Sequence, residues 1–227
     1  YFVMAVGILL GVGMSVLVWM WMQPEPQTPT TYVTKTTKPL AKKIYSPLTG
    51  LEVVDEAATT RQVTAVMIEN SPDARPQSGL KDAGIVYETI AEGGITRFVA
   101  LYQESRPGLI GPVRSVRPYY VEWAAAYDPA VAHIGGSVRA LEMIRSGSYG
   151  VDIDQFFNAA GYWRASDRVA PHNVYTDFDH LDQLTASKGK TSSTFTAIPR
   201  KEDQKAKAPT ASTITLPISS AYYEVGY

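Results

Sequence analysis

The 227-residue chain contains no cysteine. This excludes disulfides, thiolate metal sites, a cysteine nucleophile and a lipidated cysteine within these residues, but it fixes no compartment. Histidine is almost as scarce, with three in the whole chain, and none stands in a zinc-holding His/Glu spacing. Net charge is lacking too. Twenty-one basic and 22 acidic residues give a formal −1, so no global field draws the chain to nucleic acid, and any basic function must come from a local cluster. P-loop, GxSxG and Rossmann fingerprints are absent. No metal and no cofactor is therefore expected. What the chain does have is apolar material, 45% hydrophobic residues with 14 tyrosines, enough for one well-filled domain plus extra segments.

Charge is also missing from residues 1–22, where Val, Leu, Met, Gly and Trp dominate. That length suits one crossing of a hydrocarbon core, with Trp19 and Trp21 placed for an interfacial belt. A transmembrane helix is expected there, as an uncleaved anchor, because no small-residue cleavage site follows. Residues 23–43, rich in Pro, Thr and Lys, are expected to be a stalk. Its lysines Lys35, Lys38, Lys42 and Lys43 favour a cytoplasmic side, so charge counting leaves the orientation open.

Residues 44–187 carry the pattern of an α/β domain, a mixed sheet flanked by helices. Arg61–Glu69 has the composition of a buried strand. Two strands, 85–90 and 96–102, flank Glu92-Gly93-Gly94 as a hairpin. Helices are expected over 119–127, over 138–145 with Ser137 as cap, and after Thr176 as cap. The strand 130–134, the Gly135-Gly136 loop and the helix after it form a unit typical of α/β folds. Val151–Phe157 alternates like a strand. Residues 188–209 read as a linker, and 210–227 as the start of a β-rich second domain that stops in mid-pattern, as in a piece of a longer protein.

The most unusual stretch is Gly111-Pro112-Val113-Arg114-Ser115-Val116-Arg117-Pro118. It puts two guanidinium groups just before a helix whose first turn Pro118 suits, with Arg117 at or next to the N-cap. Helix N-termini already carry partial positive charge, so these arginines need carboxylate partners such as Glu88, Glu92 or Asp82, or a bound anion. Other candidates also lie in loops at strand and helix ends: Arg75, Asp82, Glu92, Gly135, Gly136, Arg164, Arg168 and Asn173 for ligand binding, and His133 and His172 for proton transfer. In open α/β sheets such ends converge on one crevice. A site with about five arginines and two histidines suits phosphate, pyrophosphate or a polycarboxylate. Asp152 and Asp154 share a strand face, where a solvated edge is the expected reading and a divalent cation the alternative. The aromatic, basic loop around Arg164 invites a nucleic-acid reading, but the apolar N-terminus and the neutral charge weigh against it.

An ordered set of motifs resembles the YerB-like family of bacterial lipoproteins, whose biochemical function is undefined. The set is Ser46–Gly50, Ala74–Leu80, Glu92–Arg97, Gly111–Pro118, His133–Ser137 and Ala170–Tyr175, spread over roughly residues 45–186. The resemblance implies a bacterial surface protein on the outer side of the cell membrane, with an uncleaved single-pass helix here in place of the lipid anchor. The order of elements is also similar to that of LytR-CpsA-Psr wall-polymer ligases. By that similarity Arg75, Asp82, Arg114 and Arg117 would hold a lipid-linked pyrophosphate, although Ser115 stands where an acidic residue is wanted. The leading expectation is an extracytoplasmic envelope protein that binds an anionic envelope ligand. The alternatives are a phosphotransferase acting on lipid-linked glycans and a non-catalytic adaptor for wall-synthesis proteins.

Overall fold

The computed structural model of the protein describes residues 14–24, 43–201, 204–208, 211–217 and 222–226. The chain divides into two compact units, Tyr1–Ala41 and Lys42–Tyr227. In the first, residues 14–21 form a helix, α1, with exposed side chains. Among the described residues no helix is long and apolar enough to cross a membrane. The rest of the expected span, residues 1–13, lies outside the described residues, as do residues 25–42 of the expected stalk.

The second unit is built on a five-stranded mixed sheet. Its strands are β3 (Thr64–Glu69), β4 (Ile85–Glu92), β5 (Ile95–Tyr102), β6 (Ala130–His133) and β7 (Val151–Asp154), in the order β4-β5-β3-β6-β7. Two short strands, β1 (Ile44–Tyr45) and β2 (Glu52–Val53), precede it as a separate pair. All six residues of β3 are buried, which is why this stretch is a near-continuous apolar run rather than an alternating one. Its side chains divide between two cores. Ala65 and Met67 pack with residues of α2 (Pro118–Ala125) and α3 (Val138–Arg145). Val66 and Ile68 pack with Phe178 and Leu181 of α4 (Phe178–Ser187). Helices thus cover both faces of the sheet, in the three-layer arrangement that gives each strand face its own apolar cover.

β3 runs antiparallel to β5 and parallel to β6, and β6 parallel to β7. The C-terminal ends of β3, β6 and β7 therefore lie on the same sheet edge as the end of β4 and the start of β5. The hairpin between β4 and β5 turns on Gly93 and Gly94, with φ of 59° and 77°. Two successive positive φ values define the turn that matches strand twist, and glycine adopts them without a Cβ penalty.

The arginine segment is strapped across this edge between β3 and β6. Arg114 N donates to Met67 O (2.8 Å), Glu69 N to Pro112 O (3.0 Å), Val116 N to Gly135 O (3.0 Å) and Ile134 N to Arg114 O (3.1 Å). Arg117 is the N-cap residue of α2, with Pro118 in the first turn. Ser137 caps α3 through Ala140 N (3.4 Å).

Three expectations change. Asp177, not Thr176, caps α4, accepting from His180 N at 2.8 Å, because Thr176 is buried and spends its hydroxyl on Gly161 O (2.8 Å). β7 stops at Asp154, where Asn158 Nδ2 (2.8 Å) and the N–H groups of Phe157 and Asn158 turn back onto the Asp154 carbonyl. Residues 190–200, expected within a linker, have no helix or strand but are tied to the domain. Lys190 pairs with Asp128 (2.8 Å), Val63 N donates to Ser193 Oγ (2.8 Å), Phe195 packs edge-on to Tyr127 and Arg200 bonds Leu48 O (2.6 Å). Farther on, β10 (Thr213–Pro217) and β11 (Tyr222–Gly226) pair as an antiparallel hairpin. Strands β8 (Trp163–Arg164) and β9 (Val174–Tyr175) bracket the aromatic, basic loop.

Candidate functional site

The polar side chains of the C-terminal edge fall into three groups. Over β6 and β7, His133 is fully buried, with Nδ1 2.9 Å from Gly135 O and Nε2 2.9 Å from Asp152 Oδ1. Both ring nitrogens face acceptors, so neither is open to a substrate. Asp154 is also fully buried and accepts from Gly135 N (2.9 Å), Phe156 N (3.2 Å) and Arg145 (3.1 Å). Arg145 reaches Asp152 as well, at 3.5 Å. Burial acts to raise the Asp152 carboxyl, but the His133 hydrogen bond and charge, the Asp154 N–H and Arg145 outweigh it and hold the group below its ordinary value. The solvated edge expected for the two aspartates is thus an internal network. Carboxylate and imidazole atoms of His133, Asp152 and Asp154 lie within 4.8 Å of one another, but Arg145 and three N–H groups already supply the positive charge and donors.

Gly135 and Gly136 belong to this network. A Cβ on Gly136 would stand 2.7 Å from Val116 Cγ1 and 2.9 Å from Val116 O. Gly136 therefore lets the arginine segment approach the start of α3, and Gly135 takes a left-handed φ of 54°, which accounts for glycine at both positions without a ligand.

The second group is an ion-paired arginine couple. Arg117 binds Glu92 through Nε and a terminal nitrogen, and Val116 O through another (2.7 Å). Arg97, with 6% of its side chain exposed, donates to Glu92 Oε2 (3.0 Å) and Ser115 O (2.7 Å). Burial lowers the Arg97 guanidinium value, Glu92 works against that, and Arg117 and Arg114 lower it further. Glu92 is raised by burial but brought below its ordinary value by Arg97 and Arg117. Arg117 is therefore satisfied by the carboxylate partner that was the alternative to an anion.

The third group is more open. Glu69, at the end of β3 and 5% exposed, accepts from His172 Nδ1 (2.9 Å), which also lies 3.2 Å from Ser71 Oγ. Among the described residues the Nε2 of His172 has no hydrogen-bond partner. Arg114 Nε stands 3.2 Å from Glu69 Oε1 but off line for a hydrogen bond. The two terminal nitrogens of Arg114 make no hydrogen bond among the described residues, and 27% of the side chain is exposed. Arg75 is held by Asn70, through Oδ1 and O, both at 3.0 Å, so among the described residues one of its terminal nitrogens has no partner. Arg114, His172 and Arg75 are thereby gathered on the single turn Glu69-Asn70-Ser71. Beside it lies a cavity of about 750 Å³ lined by Asp73, Arg75, Asp167, Arg168, Val169, Ala170 and His172.

The remaining candidates are dispersed. Arg168 spans to Pro76 O (2.8 Å) and Asp73 O (3.5 Å). Arg164 bonds Asn173 Oδ1 (2.7 Å), and the buried Asn173 returns its amide to Ala165 O and Arg168 O, so these two shape the loop that forms the cavity wall. Asp82 is not part of the edge. It pairs with Lys81 (2.7 Å) and lies near Tyr102, at the opposite end of the sheet, on a separate cavity of about 960 Å³. Residues 80–84 follow a turn that carries them away to the start of β4, so Asp82 does not meet the arginines of the strap. Sequence reasoning missed Glu69, Asn70, Arg97 and Arg145 as members of the edge. A usable signal was present for two of them: a charged residue closing an apolar strand, Glu69, and one inside another, Arg97, directly opposite it in register.

The second unit is thus a three-layer α/β domain with a mixed-charge network along one sheet edge and a cavity beside the turn that follows β3. Residues 48–192 match the family described as "Protein of unknown function (DUF3048) N-terminal domain", and the chain belongs to that family. It is 42% identical over 149 residues to the protein named "Putative lipoprotein YerB" of Bacillus subtilis (strain 168), an alignment covering 66% of this chain and 45% of that protein. The crystal structure of the YerB protein from Bacillus subtilis is similar with a TM-score of 0.64 at 39% identity, covering 68% of this chain and 53% of that one. The chain spans about half the length of these relatives.

Proposed function

We propose that the protein is an extracytoplasmic component of the bacterial envelope, held at the membrane by its apolar N-terminal segment as a single-pass anchor. Its α/β domain binds an anionic, phosphate- or pyrophosphate-bearing envelope ligand. The lipoprotein name of the relative and the uncharged residues 1–22 support the location. One observation supports the binding: among the described residues Arg114 presents two terminal guanidinium nitrogens without hydrogen bonds, on the same turn as Arg75 and His172. A planar fork of this kind matches two oxygens of a phosphate, and Arg97 and Arg117 nearby add to the field. The Glu92 ion pairs of Arg97 and Arg117 favour the adaptor reading for that part of the edge. A phosphotransferase has less support, since Asp82 and His133 stand apart from His172.

The test is calorimetric titration of the 227-residue chain in detergent with inorganic pyrophosphate and with polyprenyl pyrophosphate, beside Arg75→Ala and Arg114→Ala. Saturable binding by wild type, weakened tenfold or more in both variants, supports the proposal. No saturable binding by wild type, or variants that bind like wild type, removes it.

A further inference from the structure

The cavity beside His172 has a composition that a simple anion site would not have. Arg75 and Arg168 line it, but so do Asp73 and Asp167. Opposite charges this close ordinarily pair, yet these do not. Arg75 turns two of its nitrogens to Asn70, and Arg168 turns to the carbonyls of Pro76 and Asp73. Among the described residues neither carboxylate has an ion pair or a side-chain hydrogen bond. The wall therefore offers two acceptor-only groups, with the remaining terminal nitrogen of Arg75 as the opposing donor and the Nε2 of His172 beside it. A phosphate alone would meet repulsion from both aspartates.

Resting on the anion-binding reading above, we infer that the ligand is zwitterionic: a phosphate ester that also carries a primary ammonium group a few bonds away. The phosphate lies toward Arg75 and His172, and the ammonium is received by Asp73 and Asp167. Three N–H donors on a compact cation suit two separate carboxylates better than one. A phospholipid headgroup and a free aminoalkyl phosphate share this chemistry.

Phosphoethanolamine, inorganic phosphate and ethanolamine are titrated separately into the full chain in detergent, with Asp73→Asn/Asp167→Asn and Arg75→Ala as comparisons. Phosphoethanolamine is expected to bind at least tenfold more tightly than phosphate or ethanolamine. The double asparagine variant erases that preference while binding phosphate at least as well as wild type, and Arg75→Ala weakens both phosphate-bearing ligands. Flotation with phosphatidylethanolamine vesicles, with and without competing soluble phosphoethanolamine, then separates the headgroup from the free ester. Equal or tighter binding of phosphate overturns the zwitterion inference and leaves the anion site standing. Ethanolamine binding as tightly as phosphoethanolamine overturns it in favour of a cation site. No saturable binding of phosphoethanolamine removes the zwitterion inference, while the pyrophosphate titration decides the anion reading separately. Both aspartates are exposed, and a thermal melt of the double variant within a few degrees of wild type confirms that its fold is retained.

Discussion

His133 and His172 sit along the same sheet edge, each against a carboxylate at 2.9 Å, but their surroundings differ. His133 is sealed, with both nitrogens used and its carboxylate neighbours held by Arg145. His172 has one nitrogen committed and borders a cavity. The arginines divide in the same way: Arg97 and Arg117 are consumed by Glu92, whereas Arg114 keeps its fork. Residue type and position at a strand end do not distinguish these cases. What separates them is whether the protein itself supplies every partner, and among the described residues of the edge the open part keeps donors without one.

That contrast can be broken at several points. The largest effect is expected in the sealed network. Asp154→Ala leaves the Gly135 and Phe156 N–H groups without their acceptor and Arg145 with Asp152 alone, and should cost about 2–4 kcal/mol of unfolding free energy in a urea titration. A cost under about 1 kcal/mol would mean the network is not as closed as its geometry. Next comes Arg97→Ala, which removes charge-assisted bonds to Glu92 and Ser115 O and should cost about 1.5–3 kcal/mol. Arg114→Ala, with one poorly aligned contact, should cost about 1 kcal/mol or less. A reversal of that order would place the structural load on the wrong arginine.

Acid provides a third test. Because the folded-state value of Asp152 lies below the ordinary 3.8, its contribution to stability is present in full above that pH. It is lost as pH falls from there through the lowered value. In wild type, stability should therefore drop over this range, and Asp152→Asn should flatten that part of the profile. An unchanged acid limb would detach Asp152 from the network's stability. The smallest effect belongs to Ser137→Ala, where the long capping bond of 3.4 Å should be worth about 0.5 kcal/mol.

Much of this architecture was legible in the chain. The apolar run of β3, the glycine pair of the hairpin, Pro118 after Arg117 and the Ser137 cap are local signals whose physics acts within a few residues. Partner choice was not legible. Whether Arg117 meets Glu92, 25 residues away, or Asp152 meets His133, 19 away, depends on strand order and register, which local patterns leave open. Asp82 shows the same limit: it stands near Arg75 in the chain but at the other end of the sheet. The role of Gly135 and Gly136 was half visible, since a tight turn was expected but the contact with Val116 arises only once the strap crosses the edge.

The proposal that a ligand binds at the open part of the edge meets its sharpest test in the inorganic pyrophosphate affinities of Arg114→Ala and Arg117→Ala, measured side by side in the full chain. At least a tenfold loss is expected for Arg114→Ala and less than a threefold change for Arg117→Ala. The opposite pattern, or equal losses in both, would contradict the proposal.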